Sequence, residues 1–186
     1  MRVLAACEFS GIVRDAFRAR GHDAWSCDLE PCESDPRWHL REDVRQVVGR
    51  GWDLMVAFPP CTYLARSGAR WHQGTARQAE AVEFVRELLA APVPRIAVEN
   101  PVGALSRFMR RPDLIVHPWE FGHRETKATC LWLKHLPPLM PTEVWAGPYV
   151  ARVHWEPPGP ERWKNRSRTL PGIADAMADQ WGSYAQ

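Results

Sequence analysis

Cys61 closes the stretch Asp53-Leu54-Met55-Val56-Ala57-Phe58-Pro59-Pro60-Cys61, an apolar run that ends in two prolines and a thiol. A strand rich in Val, Leu, Met and Phe belongs at the buried centre of a parallel sheet. Two prolines end its ladder and stiffen the turn that follows. The thiol therefore stands just past a strand's carboxyl end, where open α/β sheets hold their ligands. A free Cys is most often a small buried hydrophobe, but such a residue needs no rigid pedestal, whereas a nucleophile does. Three further polar signals fall at expected strand ends: Glu8-Phe9-Ser10-Gly11, Asp28 with Leu29, and Glu99-Asn100-Pro101. Each is weak alone, since Asp28 could serve a turn and Glu99 could cap a helix beginning near Val102. A sheet that gathers these positions along one edge brings a thiol, carboxylates and an amide into one site.

The elements that must position them alternate in type. The pattern predicts strands over 2–7, 23–27, 53–58 and 95–98, with helices over 12–20 and 75–89 between them. Gly21 ends the first helix. Residues 32–41 read as irregular, and Asp43 caps a short helix through Val48. A polar loop over 62–74 carries Arg66, Arg70, Trp71 and His72. Later strands are expected over 116–119 and 129–133. Residues 136–165 are proline-rich and aperiodic, and an amphipathic helix over 173–181 follows. This is the alternation of a doubly wound α/β sheet with helices on both faces.

At 186 residues the chain reads as a single domain. A hydrophobic content of 45% with 25% charged residues is ordinary for a globular protein and excludes a disordered one. A net charge of +2 does not by itself announce nucleic acid. Arginine is dense locally, though, at Arg107, Arg110 and Arg111 and again at Arg162, Arg166 and Arg168 with Lys164. The five cysteines lack CxxC spacing, which argues against a disulfide framework and a four-ligand zinc site, so no metal is expected. No targeting segment and no long apolar run is visible, so no membrane association is expected and the reading is cytoplasmic.

Phe58-Pro59-Pro60-Cys61 and Glu99-Asn100 resemble the nucleophile motif and the Glu-Asn pair of the DNA cytosine-5 methyltransferase family. The resemblance covers most of residues 1–133 and returns over 168–181. It implies a Rossmann-like sheet that uses S-adenosylmethionine. Glu8-Phe9-Ser10-Gly11 resembles the first cofactor motif, and Pro59 borders the same cleft. Asp28 and Leu29 look like the ribose-binding acid and its apolar neighbour, and Asp43 like the acid that holds the adenine. Gly172-Ile173-Ala174-Asp175-Ala176-Met177 is similar to the helix that completes the pocket. Lys127 aligns with an arginine of the family's catalytic set.

The chemistry fits the resemblance on its own terms. Cytosine C5 is a poor nucleophile. Addition of a Cys61 thiolate to C6 would make it enamine-like, and a carboxyl at Glu99 could donate to N3. Asn100 could orient the Cys61 loop, and a nearby cation could lower the thiol's pKa. The chain also departs from the pattern. Thr62 follows the nucleophile where the family most often has Gln, and Lys127 offers a point charge in place of a fork. Arg166-Ser167-Arg168-Thr169 replaces an Asn-bearing motif. A cation there would lie close to the transferred group, which leaves open a donor that carries an extra carboxylate. Where the family inserts a target-recognition domain, this chain has a Pro/Trp-rich segment over 134–166, a minimal form that would suit a phage genome. Trp145, Trp155 and Trp163 read as packing residues before base-stacking ones.

The leading expectation is modification of C5 of cytosine in DNA, with Arg66, Arg70, Arg107, Arg110 and Arg111 on phosphates. The alternatives are C5 modification of a free cytidine nucleotide and a catalytically silent DNA- or partner-binding relic of the fold.

Overall fold

A computed structural model describes residues 1–184. The first half is a parallel winding. Strand β1 (Arg2–Ala6) leads into helix α1 (Ile12–Ala19), then strand β2 (Asp23–Cys27), the short edge strand β3 (His39–Leu40) and strand β4 (Leu54–Ala57). The single-turn helix α2 (Ala69–His72) and helix α3 (Ala76–Ala90) precede strand β5 (Arg95–Pro101). Helix α4 (Leu105–Phe108), strand β6 (Leu114–Val116) and strand β7 (Thr129–Lys134) complete the sheet, and helices α5 (Arg152–Trp155), α6 (Arg162–Ser167) and α7 (Pro171–Ser183) follow. The sheet order is β3-β2-β1-β4-β5-β7-β6. Its first five strands are parallel, and β7 runs antiparallel to both β5 and β6.

Alternation along the central strands divides the core in two. Leu4, Met55, Ile96 and Val98 face α3 with Val82, Val85 and Leu88. Val3, Ala5, Leu54, Val56 and Ala97 face α1 and α7, with Phe17, Met177 and Trp181. Helices thus cover both faces, as the winding requires. Trp181 is wholly buried, and its indole N–H donates to the Pro137 carbonyl at 3.0 Å.

Four local expectations are corrected. Strand β5 continues through Glu99, Asn100 and Pro101, because antiparallel β7 supplies partners that far: Glu99 faces Leu131 and Asn100 faces Cys130. The Glu-Asn pair therefore sits on a strand, not after one. The strand expected over 116–119 lies at Leu114–Val116; Pro118 has no N–H for the ladder and opens a 3-10 turn, Pro118–Glu120. The helix expected from Asp43 to Val48 is a 3-10 turn, Val44–Gln46, whose Arg45 N–H donates to the Asp43 carboxylate at 2.9 Å. The irregular 32–41 stretch contains β3, too short to show any period.

That stretch is held by Arg14, an arginine with no exposed side-chain surface. It donates to Ser26 Oγ at 3.1 Å and the Asp35 carbonyl at 3.0 Å, and it also bonds Ser34. A buried guanidinium cannot shed its charge, so these partners fix the loop beyond β2.

Candidate active site

The thiol's pedestal is built from the backbone up. The Phe58 N–H still donates to Ala6 of β1 at 2.9 Å, after which Pro59 and Pro60 carry the chain off the sheet. The Cys61 carbonyl accepts from Leu64 and Ala65 N–H at 3.0 and 2.9 Å, so a turn starts at the thiol. From β5, the wholly buried Asn100 donates Nδ2 to the Pro59 carbonyl at 3.0 Å, while its Oδ1 has no partner. Asn100 therefore ties the Pro-Pro turn to the strand that carries Glu99.

A second tie lies just beyond. Arg66 N–H donates to Val102 at 3.1 Å, and Ala104 N–H donates to Leu64 at 2.7 Å, across a bridge from Ala65 to Gly103. A Cβ on Gly103 would stand 2.0 Å from the Leu64 carbonyl oxygen, a contact that only backbone movement can relieve. Gly103→Ala is expected to destabilise the chain by about 1–3 kcal/mol and to shift the Cys61 loop. Urea melts check the first effect. The rate of Cys61 alkylation, followed by peptide mapping, checks the second.

The charges around Cys61 set its chemistry. The thiol is half-buried. Burial pushes its pKa up, Glu99 pushes it further, and Lys127 and Arg166 pull it back without reversing the direction. The expected thiol of lowered pKa is thus corrected: desolvation outweighs the two cations. Glu99 is itself held above the usual carboxylate range by burial, against Lys127 and a hydrogen bond from Thr129. Two acids beside two cations in one desolvated place compete for a single negative charge. When Glu99 holds its proton, its repulsion of the thiolate disappears and both cations favour ionisation of Cys61. A small cavity of about 20 Å³, lined by Phe58, Glu99, Lys127, Thr129, Arg168 and Met177 among others, adjoins these groups. The Lys127 ammonium is fixed by donation to the Arg166 carbonyl at 3.1 Å.

The cofactor residues suggested by the motifs lie along the same edge, beyond β1 and β2. Glu8 is buried. One of its oxygens accepts from Ser10, the other has no partner, and burial raises its pKa. Gly11 takes a left-handed φ of 79° as α1 begins, a conformation that favours glycine. Asp28 accepts from Glu30 N–H at 3.0 Å and is held above its ordinary pKa by burial. Leu29 beside it is 68% exposed, an apolar surface open to a ligand. An orphaned buried carboxylate oxygen, a second acid and an uncovered leucine fit the polar and apolar parts of a nucleoside donor. Asp43 lies next along the edge, with its carboxylate engaged by Arg45. Phe9 is buried under Trp163, the ring centroids 5.6 Å apart.

The arginines divide. Arg66 and Arg70 are exposed on the loop that continues from Cys61, with Arg70 over the exposed Trp71 ring at 4.4 Å. Arg107 is exposed on α4, just past the end of β5. Arg110 does not join them, which corrects the expected grouping. Its guanidinium pairs with Asp113 at 2.7 Å and donates to the Leu133 carbonyl at 2.9 Å. Leu133 is opposite Ala97, toward the start of β5, so Arg110 and the adjoining Arg111 lie away from the sheet edge that carries Cys61. The tryptophans divide as well. Trp145 packs against Arg124 at 4.3 Å, but Trp155 is 76% exposed, contrary to the expected packing role.

Thr129, which bonds Glu99, was not singled out from the sequence. Thr129 opens β7 opposite Pro101, a register that no local pattern reveals. Arg166 was visible in a basic cluster and in the segment that replaces the Asn-bearing motif, where a cation was expected close to the transferred group, but nothing in the sequence tied it to Cys61. Among the described residues no helix is long and apolar enough to cross a membrane, and no three His, Cys, Asp or Glu side chains gather as a metal-ligand set.

No family model and no curated protein matches the chain. Its fold is similar to that of the S. pombe Dnmt2 methyltransferase, at 14% identity and a TM-score of 0.51, over 83% of this chain and 55% of that one. It is similar also to the Entamoeba histolytica methyltransferase EhMeth, at 11% identity and a TM-score of 0.51, over 86% and 60% of the two chains. The chain thus spans less than two thirds of either protein. The fold is an α/β methyltransferase fold.

Proposed function

We propose that this chain transfers a methyl group from S-adenosylmethionine to C5 of cytosine in DNA. The observation that carries the reading is Cys61 on an Asn100-braced turn beside an acid pushed toward its neutral form, with Lys127 and Arg166 acting on the same thiol. S-adenosylmethionine, held along Glu8, Phe9, Ser10, Gly11, Asp28, Leu29, Asp43 and Pro59, would supply an electrophilic methyl. Cys61 then adds to C6, and the C5–C6 electron pair moves to C5 as Glu99 donates its proton toward N3. C5 would take the methyl as its bond to the donor's sulfur breaks and the neutral thioether leaves; loss of the C5 proton to solvent, cleavage of the S–C6 bond and return of the N3 proton to Glu99 would then give back Cys61 and aromatic cytosine. The base must leave the helix stack to reach this thiol.

Calorimetry with S-adenosylmethionine tests the donor half. Binding is expected, and Asp28→Ala should weaken it by about 1.5–3 kcal/mol, the value of a hydrogen bond to a charged group. No binding to the wild type would remove the donor from the reading.

The DNA half rests on phosphate contacts from Arg66 and Arg70. Reversing both to Glu is expected to weaken binding to duplexes of any sequence alike and to flatten the dependence of log K on log salt by about two contacts' worth. Titrations at several salt concentrations read both effects; unchanged slope and affinity would argue against DNA contacts at this loop.

One observation favours a free cytidine nucleotide as a second reading. Between β7 and α7 the longest regular element among the described residues is α6, of six residues. Reading bases in a groove needs a rigid element that carries several side chains.

A further inference from the structure

The stretch from Arg162 to Arg168 holds four cations, and three are satisfied within the protein. Arg162 donates Nε to the Glu156 carbonyl at 2.7 Å, and Lys164 pairs with Glu30 at 3.2 Å. Arg168 grips Glu33 with two nitrogens, at 2.7 and 2.6 Å, and donates to Asn165 at 2.6 Å. Arg166 differs. It is half-buried, its Nε is inaccessible and without a partner, and it pairs with no carboxylate among the described residues. A guanidinium cannot deprotonate to relieve desolvation, so a half-buried one needs a counter-charge. Lys127, tied to the Arg166 backbone, also lacks a carboxylate partner among the described residues. The acids nearest in effect, Cys61 and Glu99, are both driven toward their neutral forms by burial. The place therefore carries more positive charge than the protein balances.

We propose that Arg166, with Lys127, forms an oxyanion-receiving subsite beside Cys61, filled by a phosphate of the target nucleotide or by a carboxylate on the donor's transferable group. The proposal rests on the cytosine reading above and names what that site must additionally bind. A phosphate suits the geometry of the attack: in an anti pyrimidine nucleotide the C6 edge faces the 5′-carbon and its phosphate. A thiol at C6 therefore has that phosphate as a near neighbour, and a guanidinium pairs with it through parallel hydrogen bonds. A donor carboxylate would instead approach from the side of the cavity lined by Glu99 and Arg168.

The test reads Cys61 alkylation by iodoacetamide, mapped by peptide mass, in the full chain without any transfer reaction. Bound anion disfavours the thiolate, so inorganic phosphate and dCMP should slow alkylation below the thiol's midpoint by about tenfold, the effect of one pKa unit. Deoxycytidine should protect far less than dCMP. Arg166→Gln should lose the phosphate effect and show a higher alkylation midpoint even without anion, whereas Arg166→Lys, which keeps the charge, should recover part of both. Circular dichroism of each variant confirms folding. If the Arg166-dependent protection comes instead from a donor carboxylated on its methyl, and not from S-adenosylmethionine itself, the subsite belongs to the donor. Equal protection of wild type and Arg166→Gln by every anion, with unchanged midpoints, would overturn the proposal. Because no methyl transfer enters the readout, protection without product would leave the subsite standing and remove the methyltransferase reading alone.

Discussion

Cys61→Ser is expected to lower methyl transfer by about 10³-fold or more, the scale of losing a nucleophile that works as part of a unit. Folding and S-adenosylmethionine binding should hardly change. The substitution is nearly isosteric and lies on a turn fixed by its own backbone and by Asn100. The loss is chemical: a hydroxyl in this desolvated place has far less access to its anion than a thiol, and even the thiol is pushed up here by burial. DNA carrying 5-fluorocytosine should trap the wild type covalently, because C5 then holds no proton to release. Mass mapping should place the adduct on Cys61 and find none in the variant. Residual activity of the Ser form within tenfold of wild type would remove Cys61 as nucleophile.

Glu99→Gln should separate three properties that usually move together. Transfer should fall by about 10²–10⁴-fold, the range for losing a general acid. The Cys61 thiol should nevertheless become easier to ionise, because the carboxylate that raises its pKa is gone while Lys127 and Arg166 stay. Stability should rise with pH relative to wild type. Glu99 is raised above its ordinary 4.5 by burial. Its favourable contribution is therefore fully present below that value and lost as pH climbs through the folded-state pKa. Gln, which never ionises, keeps it. Melting temperatures of the two proteins should coincide in acid and diverge toward alkaline pH, with the variant higher. Coincidence at every pH would mean that burial does not perturb Glu99.

The central winding was legible because buried parallel strands advertise themselves. The apolar run before Pro59, the helix over 75–89 and the amphipathic helix near the end all lie where their patterns place them. The far side of the sheet was harder to read. Strand β7 is antiparallel and draws β5 out past Glu99, a consequence of pairing across about thirty residues that has no local signature. Motifs singled out Cys61, Glu99 and Asn100, which the fold brings together, yet the motifs did not carry the charge balance. Arg110 looks like Arg66 in the sequence, but Asp113 and Leu133 occupy it. Arg166 looks like Arg168, but only Arg168 has Glu33. Which cation is free depends on partners at any separation, three residues for Asp113 and Arg110 and more than a hundred for Glu33 and Arg168.

The most direct measurement of the central claim is the nucleoside composition of cytosine-containing DNA after incubation with the purified chain and isotopically labelled S-adenosylmethionine. Mass spectrometry of the digest should show labelled 5-methylcytosine, absent with Cys61→Ser and with Glu99→Gln reduced to a trace. Label on any other base or position, or wild-type levels of 5-methylcytosine from Cys61→Ser, would contradict it.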